Sequence, residues 1–385
     1  MLEHTGSGIL GPFQYDETNR WLDFGIIVQT EYLQNSPSNG PSSEFLFFRR
    51  LRPIVMGGFG DWQGILMMDF GAGQNGNNYA SSVRWADIAY TGFYQAHARF
   101  GSFKPWFSAE LLTIGPHLLN VERSPVGNTE FGNPDYLIGF GWDQMLPGRK
   151  LAYYASVGLE DHAQGVTQMS MRSPAYAPSG SNQGVIVTGR LDYMLLGEMD
   201  YDPRPLHTPT PSAYNRSDFH TPDWRMLVST ALFGWWNDGN SNPFTVNGVS
   251  TSTTNADLNR SYGVEVSSGL RGYGFSANTE YQYIRGDLLA PAFTGGLYAD
   301  GRTNLNKFLV STGYMLPHDI EPVVAWAMID ASGFQRALTQ TSVGLNWYVK
   351  KYSIRFAADY SFVNNSNGIP GSNIGVTRAL AQFVW

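Results

Sequence analysis

YSIRFAADYSF, residues 352–362, is the stretch whose reading decides the fold. Ile354, Phe356, Ala358, Tyr360 and Phe362 fall on one face of an extended strand. Ser353, Arg355, Ala357, Asp359 and Ser361 fall on the other. Side chains alternate across a strand, so one face is apolar and the other polar, without a slip. The same alternation returns from one end of the chain to the other. Repetition on that scale predicts a closed barrel with an apolar exterior and a wet interior.

Working outward, Leu22, Phe24, Ile26, Val28 and Tyr32 oppose Asp23, Gln29 and Glu31. Phe45, Phe47 and Leu51 share one phase, and Arg50 and Arg52 the other. Trp62, Gly64, Leu66, Met68 and Phe70 alternate with Gln63 and Asp69. Strands are expected at 21–34, 44–56, 62–70, 83–93, 96–103, 137–144, 151–160 and 185–197. Eight more follow at 224–237, 258–272, 275–285, 305–316, 323–331, 336–349, 352–364 and 375–385, sixteen in all. Short turns, such as Pro147-Gly148 and Pro317-His318-Asp319, alternate with long loops at 35–43, 73–82, 161–183, 239–257 and 365–373. Outer-membrane barrels carry this asymmetry of short periplasmic turns and long external loops. The link at 202–211, DPRPLHTPTP, is too rich in proline for a strand ladder.

The expectation is therefore an all-β, 16-stranded antiparallel transmembrane β-barrel forming one domain over 1–385. Residues 104–136 break the pattern, with a short helical signal at 107–113. So long a segment is usually functional, and its apolar residues let it fold into the lumen and narrow the pore. Trp21, Trp62, Trp224, Trp235, Trp236, Trp347 and Trp385 lie near strand ends and read as an interfacial belt, with ordinary sandwich packing as the alternative.

Composition closes off other classes. The 385 residues are 15% charged and 14% aromatic, with no cysteine, which excludes disulfide frameworks and thiolate-ligated metals. A formal charge of −7 argues against nucleic acid as a partner. No stretch reaches the length of a spanning helix, so a membrane would be crossed by strands. No basic segment followed by an apolar run opens the chain, as expected of a mature form. The seven histidines lack ligand spacing, and no convergent Ser/His/Asp set marks a hydrolase. Neither a cofactor nor a metal is implied.

Several motifs resemble one family. Phe47-Phe48-Arg49-Arg50, Gly60-Asp61-Trp62, Tyr90-Thr91-Gly92-Phe93, Phe100-Gly101-Ser102-Phe103-Lys104-Pro105 and Glu122-Arg123 occur in the order found in the phosphate-selective porins O and P of Gram-negative bacteria. Gly344-Leu345-Asn346-Trp347-Tyr348 and the strand from Arg378 to Trp385 are similar to that family's last strands. The resemblance implies a homotrimeric outer-membrane porin with an arginine-lined constriction that favours small anions such as phosphate. Carried over, Arg49, Arg50 and Arg123 approach the pore, Lys104 stands in the inward loop, and Met171-Arg172 belongs to another inward-reaching loop. The departures are a chain with five lysines where a lysine-rich funnel is expected, and no basic residue around Gly115-Pro116-His117. Arg52, in place of a tyrosine, restores some charge.

By parity Arg50, Arg52, Arg99, Arg271, Arg355 and Arg378 face the lumen, as do Asp23, Glu31, Asp69, Glu160, Glu265, Glu280 and Asp359. An anion pore needs fixed positive charge in a narrow passage. Arg50, Arg52, Arg99, Arg123 and Lys104 are the expected pore cations. Arg271, Arg355 and Arg378 read better as salt bridges within the wall. Arg49 is out of phase, which also suits a subunit contact. The mixed wall leaves open a general or cation-preferring porin, and the long loops a docking barrel for periplasmic or surface partners.

Overall fold

A computed structural model describes residues 20–71, 82–163, 169–172, 182–199, 216–237, 245–246, 249–250, 258–289 and 291–385. Sixteen antiparallel strands close into one barrel. The first five are β1 (Arg20–Pro37), β2 (Ser43–Phe59), β3 (Trp62–Asp69), β4 (Ser82–Phe93) and β5 (Ala96–Phe103). Then come β6 (Leu137–Met145), β7 (Leu151–Ala163), β8 (Asn182–Leu196), β9 (Arg225–Asn237), β10 (Leu258–Gly272) and β11 (Phe275–Leu288). The last are β12 (Arg302–Tyr314), β13 (Ile320–Ala331), β14 (Leu338–Tyr352), β15 (Ile354–Asn364) and β16 (Ile374–Val384). Each pairs with its sequence neighbours, and β1 pairs with β16 to leave no edge. A three-residue strand, Ser170–Arg172, adds to the outer end of β7. The expected loops at 73–82, 161–183 and 239–257, and the link at 202–211, lie wholly or mostly outside the described residues.

The alternation in 352–362 appears in space as expected. Phe356, Tyr360 and Phe362 are exposed outward, whereas Arg355, Ala357, Asp359 and Ser361 are buried inward. The exterior carries Val264, Val266, Leu345, Val343, Leu232 and their like, an apolar band around the wall. The interior corrects the expectation of a uniformly wet lumen. Phe103, Phe107, Phe131, Phe233, Trp235, Ile284 and Leu305 form an apolar core inside the barrel, built by the wall together with the segment 104–136. Ile27, Ile54, Met56, Ile65 and Met67 form another near the periplasmic rim, with Trp21 against it.

Two of the expected belt tryptophans therefore face inward. Trp235 is fully buried and its Nε1 donates to the Glu160 carbonyl at 2.9 Å. Being consecutive on a strand, Trp235 and Trp236 cannot share a face. Trp62, Trp224, Trp236, Trp347 and Trp385 are exposed, consistent with a belt.

The register slips where it matters. On β2, Gln29 pairs with Arg50 and Thr30 with Phe48, leaving Arg49 as the extra residue of a β-bulge. The bulge reverses the faces before it, so Phe45 and Phe47 point inward against Leu33 and Val376 instead of sharing a face with Leu51. A second bulge lies on β4, where Met67 pairs with Trp85 and Met68 with Val83, leaving Arg84 extra.

Candidate functional site

The segment 104–136 leaves β5 and crosses the lumen, and most of it is buried. Ser108, at φ 62°, caps the short helix Ala109–Leu112 by accepting from the Leu111 amide. The remaining amides at this end need acceptors, and two carboxylates from the far wall supply them. Glu265 on β10 accepts from the Ser108 and Ala109 amides at 2.6 and 3.0 Å. Glu280 on β11 accepts from the Ser108 hydroxyl at 2.7 Å and the Glu110 amide at 2.8 Å. The carbonyl end meets cations: Arg123 donates to the Glu110, Leu111 and Thr113 carbonyls, and Lys104 to Leu111. Opposite charges at opposite ends suit the peptide dipoles.

Further along, Arg355 of β15 donates to the Leu118 and Leu119 carbonyls at 2.7 and 3.0 Å and to Asn346 Oδ1 at 2.7 Å. Its expected wall salt bridge is replaced by a grip on the loop backbone. Asp359 accepts from the Val121 amide at 3.0 Å, Glu160 from the Asp135 amide at 2.6 Å, and Lys307 donates to the Phe131 carbonyl at 3.0 Å. The loop is thus fastened to the walls on every side.

On the external side of this loop lies a polar cavity of about 410 Å³. Arg49, Arg50, Arg52, Arg84, Lys104, Arg123 and Arg378 line it, against the carboxylates Glu122, Glu130 and Asp135. Glu122, near the loop's tip, accepts from Arg49 Nε at 2.5 Å and Arg50 Nη2 at 3.0 Å. Arg50 also donates to Gln29 at 2.6 Å. A Cβ on Gly115 would sit 2.7 Å from the Arg50 guanidinium, so glycine is what lets the wall arginine lie against the loop. The basic residue missing around 115–117 is therefore replaced from β2. Arg52 pairs with Asp69 at 2.8 Å, Arg84 lies 3.6 Å from Asp135, and Arg378 lies 3.6 Å from both Glu31 and Asp359. As expected, Arg378 forms wall ion pairs, yet it also borders the cavity.

Burial alone would raise the Glu122 carboxyl, but Arg49, Arg50 and Arg123 overrule it and hold it well below the usual range. Burial, and then Arg123, push the Lys104 ammonium well below the usual lysine range. The Glu130 carboxyl is raised by burial.

Of the expected site residues, Arg49, Arg50, Arg52, Lys104 and Arg123 are brought together. Arg49 points inward through its bulge, so the alternative of an outward subunit contact does not hold. Arg99 stands apart, below the loop: it pairs with Asp143 at 3.0 Å and lies 5.1 Å from the centre of the Trp106 ring. Arg172 pairs by its backbone with Asp161, and its side chain lies outside the described residues. Arg271 is buried in the wall. Residues that sequence reasoning passed over include Arg84 and also Arg190, which pairs with Asp192 at 2.7 Å and Glu265 at 3.2 Å. Arg84 is invisible to parity because a bulge resets the phase. Glu265 and Glu280 were legible as lumen-facing acids but not as anchors, since nothing local marks their partners on the loop.

A second crossing lies at the periplasmic mouth. The Ser217 hydroxyl donates to Glu321 at 2.7 Å, and Tyr352 donates to the Ser217 carbonyl at 3.0 Å. Phe219 packs edge-on against Tyr348 and Tyr352. This segment, from the β8–β9 link, reaches strands β13 and β14 across the rim.

No protein-family model matches the sequence, and no curated protein matches it. Among solved structures, an anion-selective porin from Comamonas acidovorans aligns at a TM-score of 0.59 with 11% identity, over 95% of this chain and 100% of that one. The outer membrane channel DcaP of Acinetobacter baumannii aligns at 0.56 with 12% identity, over 95% and 98%. The trimer form of OmpT, an outer membrane protein of Vibrio cholerae, aligns at 0.55 with 11% identity, over 95% and 100%. At these identities the likeness is one of fold. With its apolar exterior and closed sixteen-stranded wall, the chain is a barrel of the bacterial outer membrane.

Proposed function

We propose that the protein is a passive, water-filled porin that draws small oxyanions, phosphate foremost, through the basic cavity above its inward loop. The observation that carries this reading is the pair of bulges on β2 and β4. Each inserts an extra residue, each extra residue is an arginine, and both line the same cavity. Guanidinium forks suit the paired oxygens of phosphate. Arg49, Arg50, Arg52, Arg84 and Arg123 replace part of the ion's hydration, while residues 104–136 set the diameter. Lys104 and Arg123 also brace the loop from within. Arg99 belongs to the passage as a wall charge beyond the cavity. The porin works without catalysis, as a homotrimer in lipid; the trimeric Vibrio neighbour of the same fold is consistent with that assembly.

The acids below the loop, Asp87, Asp143, Asp192 and Glu265, favour a second reading as a general or cation-preferring porin. A reversal potential across a planar bilayer in a KCl gradient separates the two. An anion-selective sign, weakened several-fold in an Arg49→Ala/Arg84→Ala variant together with phosphate block of the chloride current, is the expected result. A cation-selective sign would overturn the anion reading.

A further inference from the structure

The outer wall of β10, β11 and β12 departs from the apolar band near its external end. Strand register arranges its outward residues in rows. Arg260 pairs with Asp287, and Asp287 with Arg302. One row deeper, Tyr262 pairs with Arg285, and Arg285 with Asn304. The third row is Val264, Tyr283 and Asn306, and the fourth Val266, Tyr281 and Phe308. Rows two residues apart lie about 7 Å apart along a strand. The face therefore grades from charge, through phenol and amide, to hydrocarbon. On β15, by contrast, Phe362 and Tyr360 stand outward near the same rim.

These side chains face away from the lumen, because their neighbours Glu265, Glu280 and Lys307 are buried inside. Asp287 bridges Arg260 at 2.8 Å and Arg285 at 3.0 Å, holding both guanidiniums on the outer surface. Arg260 remains 53% exposed. One carboxylate thus serves two guanidiniums, and Arg302 stands beside it in register, so the row keeps an excess of positive charge. Below it, Tyr283 and Tyr281 donate to Asn304 and Asn306 at 2.9 and 3.1 Å, fixing a flat polar shelf.

We propose that this face seats a phosphorylated glycolipid of the outer leaflet. The arginine row takes the phosphate, the tyrosine and asparagine shelf meets the sugar, and the apolar rows below meet the acyl chains. A second copy is the rival occupant, because the subunits of a cyclic trimer meet through different surfaces; it would show as a changed oligomer mass. The site lies on the outside of the wall and is separate from the basic cavity within.

The test is native mass spectrometry of the purified, folded barrel in detergent with three probes: a bisphosphorylated lipid A, its dephosphorylated form, and inorganic phosphate. The wild type should retain the phosphorylated lipid. Arg260→Gln/Arg302→Gln should lose about tenfold in occupancy, and Arg260→Lys/Arg302→Lys should keep part of it. Heat-shifted gel mobility controls for folding, and bilayer anion selectivity should be unchanged in both variants. Equal retention by the glutamine variant, equal binding of the dephosphorylated lipid, displacement by inorganic phosphate, or a changed oligomer mass would each overturn the proposal.

Discussion

Arg49 looked misplaced in the sequence, one position away from the parity of Arg50 and Arg52. Alternation is a rule about faces, and a single inserted residue changes the face without leaving a local mark. The same blindness hid Arg84, and it placed Phe45 and Phe47 on the wrong side of the wall. What residues could not reveal alone is which acid joins which base. Glu122 is that acid for Arg49 and Arg50, and removing it leaves the buried Arg50 guanidinium without its carboxylate and Arg49 with only Glu31 at 3.8 Å. Glu122→Gln should raise anion over cation permeability and lower stability by about 3 kcal/mol, read from denaturant unfolding in detergent. Unchanged selectivity would show that the pair does not face the ion path.

The cavity's charge should also follow pH. Lys104 is neutral above its lowered value and gains a proton as pH falls through it. Glu130, raised by burial, loses its negative charge in the same direction. Glu122, held low, stays ionised over this range. Anion preference should therefore grow as pH falls from the alkaline into the acid range, and Lys104→Met should flatten part of the change. Reversal potentials across that range are the measurement, and a preference that weakened with acid would contradict the assignment.

At the scale of the element, alternation located the strands closely; Ala96–Phe103 and Leu258–Gly272 coincide with their expected bounds. The second strand, expected to end at 56, runs on to Phe59. A Cβ on Gly58 would lie 2.2 Å from the Trp21 indole, so this glycine makes room for a ring inside the ladder instead of bending the chain. The inward course of 104–136 was legible from its length and apolar content. Its attachments were not, because each joins residues far apart in the chain. They carry a prediction. Each carboxylate bond to the helix amides contributes about 1.5–3 kcal/mol. Glu265→Gln/Glu280→Gln should loosen the loop while leaving the strand ladders intact. Single-channel recordings should show larger and noisier conductance with the barrel's gel mobility preserved; an identical conductance would mean that other contacts suffice.

For the whole molecule, the seam joins the two ends of the sheet: the Ile26 amide donates to the Trp385 carbonyl at 2.8 Å and the Trp385 amide to Ile26 at 3.0 Å. Removing residues 374–385 strips both β15 and β1 of their partner. The variant should lose the compact band on an unheated gel, and a retained band would show that fifteen strands can reseal.

That seam sets an order of events. Partners about 350 positions apart in the chain must meet before the cylinder exists, among the slowest of encounters. Until then fifteen-sixteenths of a wall carries two bare rims of amides and carbonyls, the very form that recruits stray chains. A sheet of this kind is best completed where hydrocarbon rewards closure. Its topology thus builds in a dependence on timing that no part of the finished cylinder displays.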